Sequence, residues 1–392
     1  MKTCRRLLNL GGLTFILVLS FASHASSQTS PEDCTAIYNN MVANLNSTQI
    51  PKAEQALALG KEYATKCKDL AGEEGFDKIG KYVSEQIPKL EQKIPVMKLE
   101  QSFDAAVAKR NADLVVSTAK QLIEKGRPYS LDLMLDIASV GFDNASANPP
   151  NDKYNADAIQ YANLALTRLG KGDDSGSKEK AFGFYYKYKN EKCADGRTNA
   201  VGWMNYTIGL ITSTRQKDAK GALPYLYKSS QDGCETKAFP ESYRLIGSWY
   251  VDESNKISTQ RSELIKAAGD KETSDTAALL ELQMGYIDRA IDAYARAYRQ
   301  AGANPKTVPA YKNALQSILK ELFTARYEGD ASKMDAYVAK ALDTPFVDPT
   351  TAVAPVKAAP VEPKIAEPAA PVKVEAVKPV KNTPSKRPKK KP

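Results

Sequence analysis

Histidine decides more than any other residue type here, because the sequence holds one, His24. It lies inside a stretch that reads as a secretory signal, so the exported chain is expected to carry no imidazole. That would remove Ser-His and Cys-His nucleophilic catalysis, and the commonest transition-metal ligand, in one step. The carboxylates form no convincing constellation. Glu73-Glu74 falls in a turn between helical stretches and reads as two solvated acids. Asp252 and Glu263 have the spacing of a calcium loop, but Lys256 stands at its fifth position and Ile257 where the tight turn needs glycine. Gly170-Lys171-Gly172, with Gly176-Ser177-Lys178, lacks the Gly-Lys-Ser/Thr ending and the preceding strand of a phosphate loop. No catalytic residue, cofactor or metal is expected.

Four cysteines follow Cys4: Cys34, Cys67, Cys193 and Cys234. An even number in an exported chain favours disulfides over free thiols, and the spacings fit no zinc pattern. Three pairings are possible, and Cys34–Cys67 with Cys193–Cys234 is the favoured one. Ser30-Pro31-Glu32-Asp33 reads as a helix start, with a capping serine, proline in the first turn and acids near the positive end. Cys34 then begins one helix and Cys67 ends the next, positions that meet in an antiparallel hairpin.

The address comes from residues 1–25. Lys2, Arg5 and Arg6 precede an apolar run from Leu13 to Phe21, and Ser23-His24-Ala25 supplies small residues for a signal peptidase. Retention as an uncleaved anchor is the other reading, although the stretch from Leu7 to Ala22 is short for a membrane span. The expected location is the periplasm or outside the cell, and Asn46, Asn144 and Asn205 begin Asn-x-Ser/Thr sites that matter only in a glycosylating host. The formal charge is +9; the signal contributes +3 and residues 351–392 contribute +7, leaving the body at about −1. A near-neutral surface lacks the electrostatic footprint of a nucleic-acid binder.

From Ser30 to about Leu342 the hydrophobic periodicity is helical throughout. Helices are predicted over 31–45, 52–70, 74–86, 96–109, 111–125, 130–141, 154–169, 178–190, 199–213, 218–231, 239–251, 257–269, 273–284, 286–301, 307–327 and 331–342. The fold class is therefore all-α, with one helical repeat domain over 26–349 and a flexible joint near 170–177. From residue 350 to 392 the chain is rich in Pro, Ala, Val and Lys, and is expected to be a disordered basic tail.

Three stretches carry a repeat signature. Gly285, Ala290, Tyr294 and Ala297 have the order and spacing of the second helix of a tetratricopeptide repeat, which this segment resembles. Ala158-Ile159, Ala162 and Ala165-Leu166 form a weaker copy. Asp218 to Ala222, Tyr225 to Ser230, Gly233 and Leu245 to Tyr250 resemble the related Sel1-like repeat, and Tyr188-Lys189 echoes Tyr227-Lys228 upstream. The resemblance implies a right-handed superhelix of stacked helical hairpins whose concave face binds proteins or peptides and has no activity of its own. Glu241-Ser242 shares the Glu-Ser order of lytic transglycosylases, but Tyr243-Arg244-Leu245-Ile246-Gly247 does not continue their motif.

Aromatic residues concentrate between Phe182 and Tyr250. Tyr185, Tyr188, Trp203, Tyr206, Tyr243 and Trp249 are candidates for a peptide or glycan surface; the alternative is a helix interior buried on both sides. Lys386, Arg387, Lys389, Lys390 and Lys391 could contact an anionic envelope polymer or lipid headgroups. The expected function is an exported, non-catalytic scaffold or adaptor for protein or peptide partners, tethered by its tail. The alternatives are a glycan-acting enzyme using carboxylates alone, with peptidoglycan as substrate, or a polyanion binder acting through the tail.

Overall fold

Helices begin where the sequence supplies caps. In a computed structural model that describes residues 29–126, 130–174, 181–182, 186–188, 193–327 and 329–357, Ser30 opens α1 (Pro31–Leu45). Its Oγ accepts the Asp33 N–H at 3.1 Å. A short turn leads to α2 (Ile50–Lys66), and the Cys34–Cys67 bridge joins the start of α1 to the residue after α2, with an S–S distance of 2.07 Å. Met41, Ala53, Ala56 and Tyr63 pack there with Val83, Leu90 and Ile94 of α3 (Phe76–Lys109).

The described residues fall into two compact units that part between Met97 and Lys98, within the range expected as one helical repeat domain. The apolar residues of α3 up to Ile94 and Met97 belong to the α1–α2 core, and their neighbours change beyond that point. The first unit holds α1, α2 and the beginning of α3. The second holds its end, then α4 (Ala112–Glu124), α5 (Ser130–Ala145), α6 (Asn155–Gly170), α7 (Gly196–Thr214) and α8 (Ala219–Asp232). It continues through α9 (Pro240–Ala267), α10 (Ser274–Ala303), α11 (Pro309–Arg326) and α12 (Met334–Lys340). The expected joint near 170–177 lies partly outside the described residues.

Consecutive helices pair antiparallel: α1 with α2, α5 with α6, α7 with α8 and α9 with α10. The α5–α6 crossing shows the cause. Gly141 lies so close to Ala158 that a Cβ there would overlap the alanine's own. Small residues let the backbones approach, and Leu135, Ala138, Ala162 and Ala165 close the contact into the main core. The second bridge, Cys193–Cys234, ties the segment before α7 to the end of α8, with its Cα atoms 5.7 Å apart. No described helix is long and apolar enough to cross a membrane.

Several predicted boundaries are corrected. The helices expected over 74–86 and 96–109 form one helix running through Pro88 and Pro95. Both prolines are exposed, as are Ser84 and Glu91, whose carbonyls they leave unbonded, so water can take those acceptors while the inner face stays packed. The breaks expected at 252–256 and near Gly285 are absent, and α9 and α10 run 28 and 30 residues. The polar residues Asp252, Glu253 and Asn255 lie away from the core and interrupt nothing. Within the helix expected over 178–190, the described residues form a two-residue antiparallel ladder, β1 (Ala181–Phe182) with β2 (Tyr186–Lys187), pairing 181 with 187 and 182 with 186, and the rest lie outside the described residues. Phe and Tyr favour pleated backbone, and helical spacing alone does not exclude it. Finally, Val353 and Val356 pack on the helices within the range expected as tail, and 358–392 lie outside the described residues.

Candidate functional site

The described residues beyond α12, 341–357, form no helix, yet they are held against α8, α9 and α10. Phe346 anchors it, 5% exposed. Its ring meets Tyr243 of α9 at 5.2 Å and Tyr227 of α8 at 5.9 Å between centroids. The Arg296 guanidinium of α10 lies over the ring at 5.0 Å, a cation–π contact in a site closed to solvent.

Most polar contacts around Phe346 go to main chain. Arg296 is fixed by Asp292, whose carboxylate accepts two bonds from Nε at 3.0 and 3.1 Å. Its Nη2 then donates to the Thr344 carbonyl at 2.9 Å and to Thr344 Oγ1 at 3.2 Å. The Tyr227 hydroxyl donates to the Phe346 carbonyl at 3.2 Å. Ten residues further on, the Val356 N–H donates to the Glu281 carbonyl at 2.9 Å. Gly285 makes room between these ends: a Cβ there would overlap the Ala354 carbonyl oxygen. Val353 and Val356 pack half-buried on the core.

Glu281, Gly285, Arg289, Asp292 and Arg296 follow one another at helical spacing, so one face of α10 underlies the segment. From Glu281 to Arg296 the helix rises about 22 Å, whereas residues 344–356 would reach about 40 Å fully extended. A turn at Asp348 takes up slack. The Thr350 N–H and Oγ1 donate to Asp348 Oδ1 at 2.8 and 2.7 Å, and the Thr351 N–H donates to the Asp348 carbonyl at 3.2 Å.

Two buried polar atoms beside this face have no hydrogen-bond partner: Arg289 Nη1 and the Tyr250 hydroxyl. Burial pushes the Tyr250 hydroxyl up to about 12, with Arg289 opposing and Asp292 and Asp348 adding to the rise. Burial also raises the Asp292 carboxyl, against the pull of Arg296 and Arg289. The face therefore combines an aromatic pocket, a fixed guanidinium and unused donor capacity.

The other chemistry-bearing residues are consumed by the fold. Glu241 is 3% exposed and accepts two bonds from Arg244, at 2.8 and 2.6 Å, and one from the Tyr311 hydroxyl at 2.8 Å. Burial and the Glu241 charge raise the Tyr311 hydroxyl far above its ordinary value. Burial opposes the charge on Arg244, but Glu241 keeps it protonated. Asp252 and Glu263 share the single helix α9, so no loop joins them. Gly172, Asp174, Asp195 and Arg197 line a recess of about 180 Å³. There the Asp174 carboxylate accepts from the Tyr188 hydroxyl at 2.6 Å, and Asp195 caps α7. Among the described residues no group of His, Cys, Asp and Glu is arranged to hold a metal.

The aromatic candidates are mostly core. Tyr188, Trp203, Tyr206, Tyr243 and Trp249 are all buried, and Tyr185 lies outside the described residues. Trp203 and Tyr206 meet Phe142 and Phe239 in edge-on or tilted pairs, and Trp203 Nε1 donates to Glu235 Oε2 at 3.0 Å. The five described candidates are therefore interior rather than an open strip. Of them, Tyr243 touches the terminal segment. Tyr227, Gly285, Arg296 and Phe346 were not foreseen as site residues. The lone Phe346 inside Thr344-Pro345-Phe346-Val347-Asp348-Pro349 was the available signal, an aromatic without helical companions. The basic cluster Lys386, Arg387, Lys389, Lys390 and Lys391 lies outside the described residues. No protein-family profile, curated protein or solved structure matches this chain.

Proposed function

We propose that this chain is an exported, non-catalytic scaffold or adaptor, of tetratricopeptide or Sel1-like character, that holds protein or peptide partners in the cell envelope. One observation carries the reading: the α8–α10 face holds polypeptide through an aromatic pocket and main-chain hydrogen bonds, which is how grooves recognise extended peptides. Support also comes from the pairing of the interior carboxylate of Glu241 and from the two disulfides, which suit an oxidising compartment. The lysine-rich tail would add attraction to an anionic surface, at about 1 kcal/mol per basic residue near it and weakening with salt.

Affinity capture from envelope extract tests this, using the full chain and a chain ending at Lys357. Enrichment of one partner by both baits is the expected outcome. Recovery by the full chain alone would transfer the function to the tail. Recovery by neither, or release of soluble fragments from peptidoglycan by the pure protein, would end the adaptor reading.

A further inference from the structure

We infer that residues 344–357 are a self-ligand: they fill the α8–α10 peptide groove in cis and yield it to an extended partner segment carrying an aromatic anchor. This rests on the adaptor reading and specifies its site, its ligand class and its regulation.

The groove reads little of the segment's own sequence. Arg296 and Tyr227 bond to carbonyls, the Glu281 carbonyl takes an N–H, and Gly285 leaves space for a passing backbone. Any extended chain supplies those groups. The side chains that the groove buries are Phe346 and Pro349. Elsewhere the segment is largely exposed: Val347, Thr350, Thr351, Ala352, Ala354 and Pro355 face solvent. It is fastened at a few points and open over most of its length, an arrangement suited to exchange.

The self-ligand also leaves the groove incompletely satisfied. Arg289 Nη1 and the Tyr250 hydroxyl are buried donors without acceptors, and buried unpaired donors are costly. A partner segment that offers an acceptor to these two donors would gain a contact that the self-ligand forgoes.

The test uses a fluorescently labelled peptide of residues 343–357 and two full-length chains, wild type and Phe346→Ala. Anisotropy should show the peptide binding the Phe346→Ala chain at least about tenfold tighter than the wild type, whose groove is filled. A Phe346→Ala peptide should lose at least about tenfold on the same chain. Equal binding by the two chains, or binding by neither, overturns the inference. Equal affinity of the Phe346→Ala peptide overturns its anchor clause. If the Phe346→Ala chain does not fold, a protease site placed between Leu342 and Asp343, cut after folding, replaces it. Exchange of the severed segment for labelled peptide supports the inference, and its permanent retention overturns it. Should the peptide fail while envelope capture still enriches a partner, the adaptor reading stands and this inference falls.

Discussion

Glu241→Gln isolates the largest electrostatic commitment in the fold. The Glu241 and Arg244 side chains are 3% and 8% exposed, and the Tyr311 hydroxyl binds the same carboxylate, so this cluster joins α9 to α11. Glutamine nearly preserves shape and leaves Tyr311 an acceptor, but it strands the guanidinium without a counter-charge. Removing one partner of a buried pair costs about 3–5 kcal/mol, whereas an exposed pair is worth about 0–1 kcal/mol. Each kcal/mol moves the melting temperature of a body this size by about 2–4 °C, so the expected fall is on the order of 10 °C. Trp203 and Trp249 are the chain's two tryptophans and both belong to the second unit, so a fluorescence melt reports that unit alone. Glu253→Gln, which breaks the exposed Lys256–Glu253 pair on the same helix, serves as the control and should barely move the transition. A Glu241→Gln shift no larger than that control would refute the claim that this charge is buried and paired.

Three further outcomes follow. Replacing Cys34 and Cys67 by serine opens a loop of 33 residues and should cost the first unit about 3–4 kcal/mol, read as faster hydrogen exchange over 31–66 with the tryptophan melt unchanged. Gly141→Ala should destabilise the second unit by about 1–3 kcal/mol in the same melt, because its Cβ would overlap Ala158. Asp143 predicts a pH dependence: both carboxylate oxygens are buried without partners, and burial pushes the group from an ordinary 3.8 up to about 9, with Arg110 opposing. The folded chain then keeps a proton that the unfolded chain releases, so this contribution lowers stability as pH rises from about 4 to about 9. Asp143→Asn should flatten that decline, its melting temperature gaining on the wild type towards pH 9; a gain towards low pH would contradict the assignment.

Helix existence was legible wherever the apolar stripe and a cap agreed. Ser30 with Pro31, Asn111, Asp195 and Asp218 each start a helix within a few residues of the expected position. The chosen cysteine pairing was legible for the same reason, since antiparallel helices return to their starting end. Punctuation failed where tertiary burial outweighed it. Pro88 and Pro95 stop a helix only if their lost hydrogen bonds must be replaced by protein, and exposure removes that need. Gly285 was read as the start of a repeat helix, but its bare Cα serves the passing Ala354 backbone, a neighbour 69 positions away that no local window contains.

The site was the least legible part, because proline and alanine content describes a chain in isolation and is silent about a groove that accepts extended backbone. Composition placed the start of the tail at Thr350, whereas packing continues to Val356. Charge would have been the better guide. Residues 344–356 contain one acid and no base, and the first lysine after them is Lys357. A segment lying against aromatic rings and half-buried valines cannot carry ammonium groups inward without strong desolvation, so lysine first becomes affordable where contact ends. By that logic the basic tail and the self-ligand are separate devices joined end to end, and the boundary between them is written in charge rather than in proline.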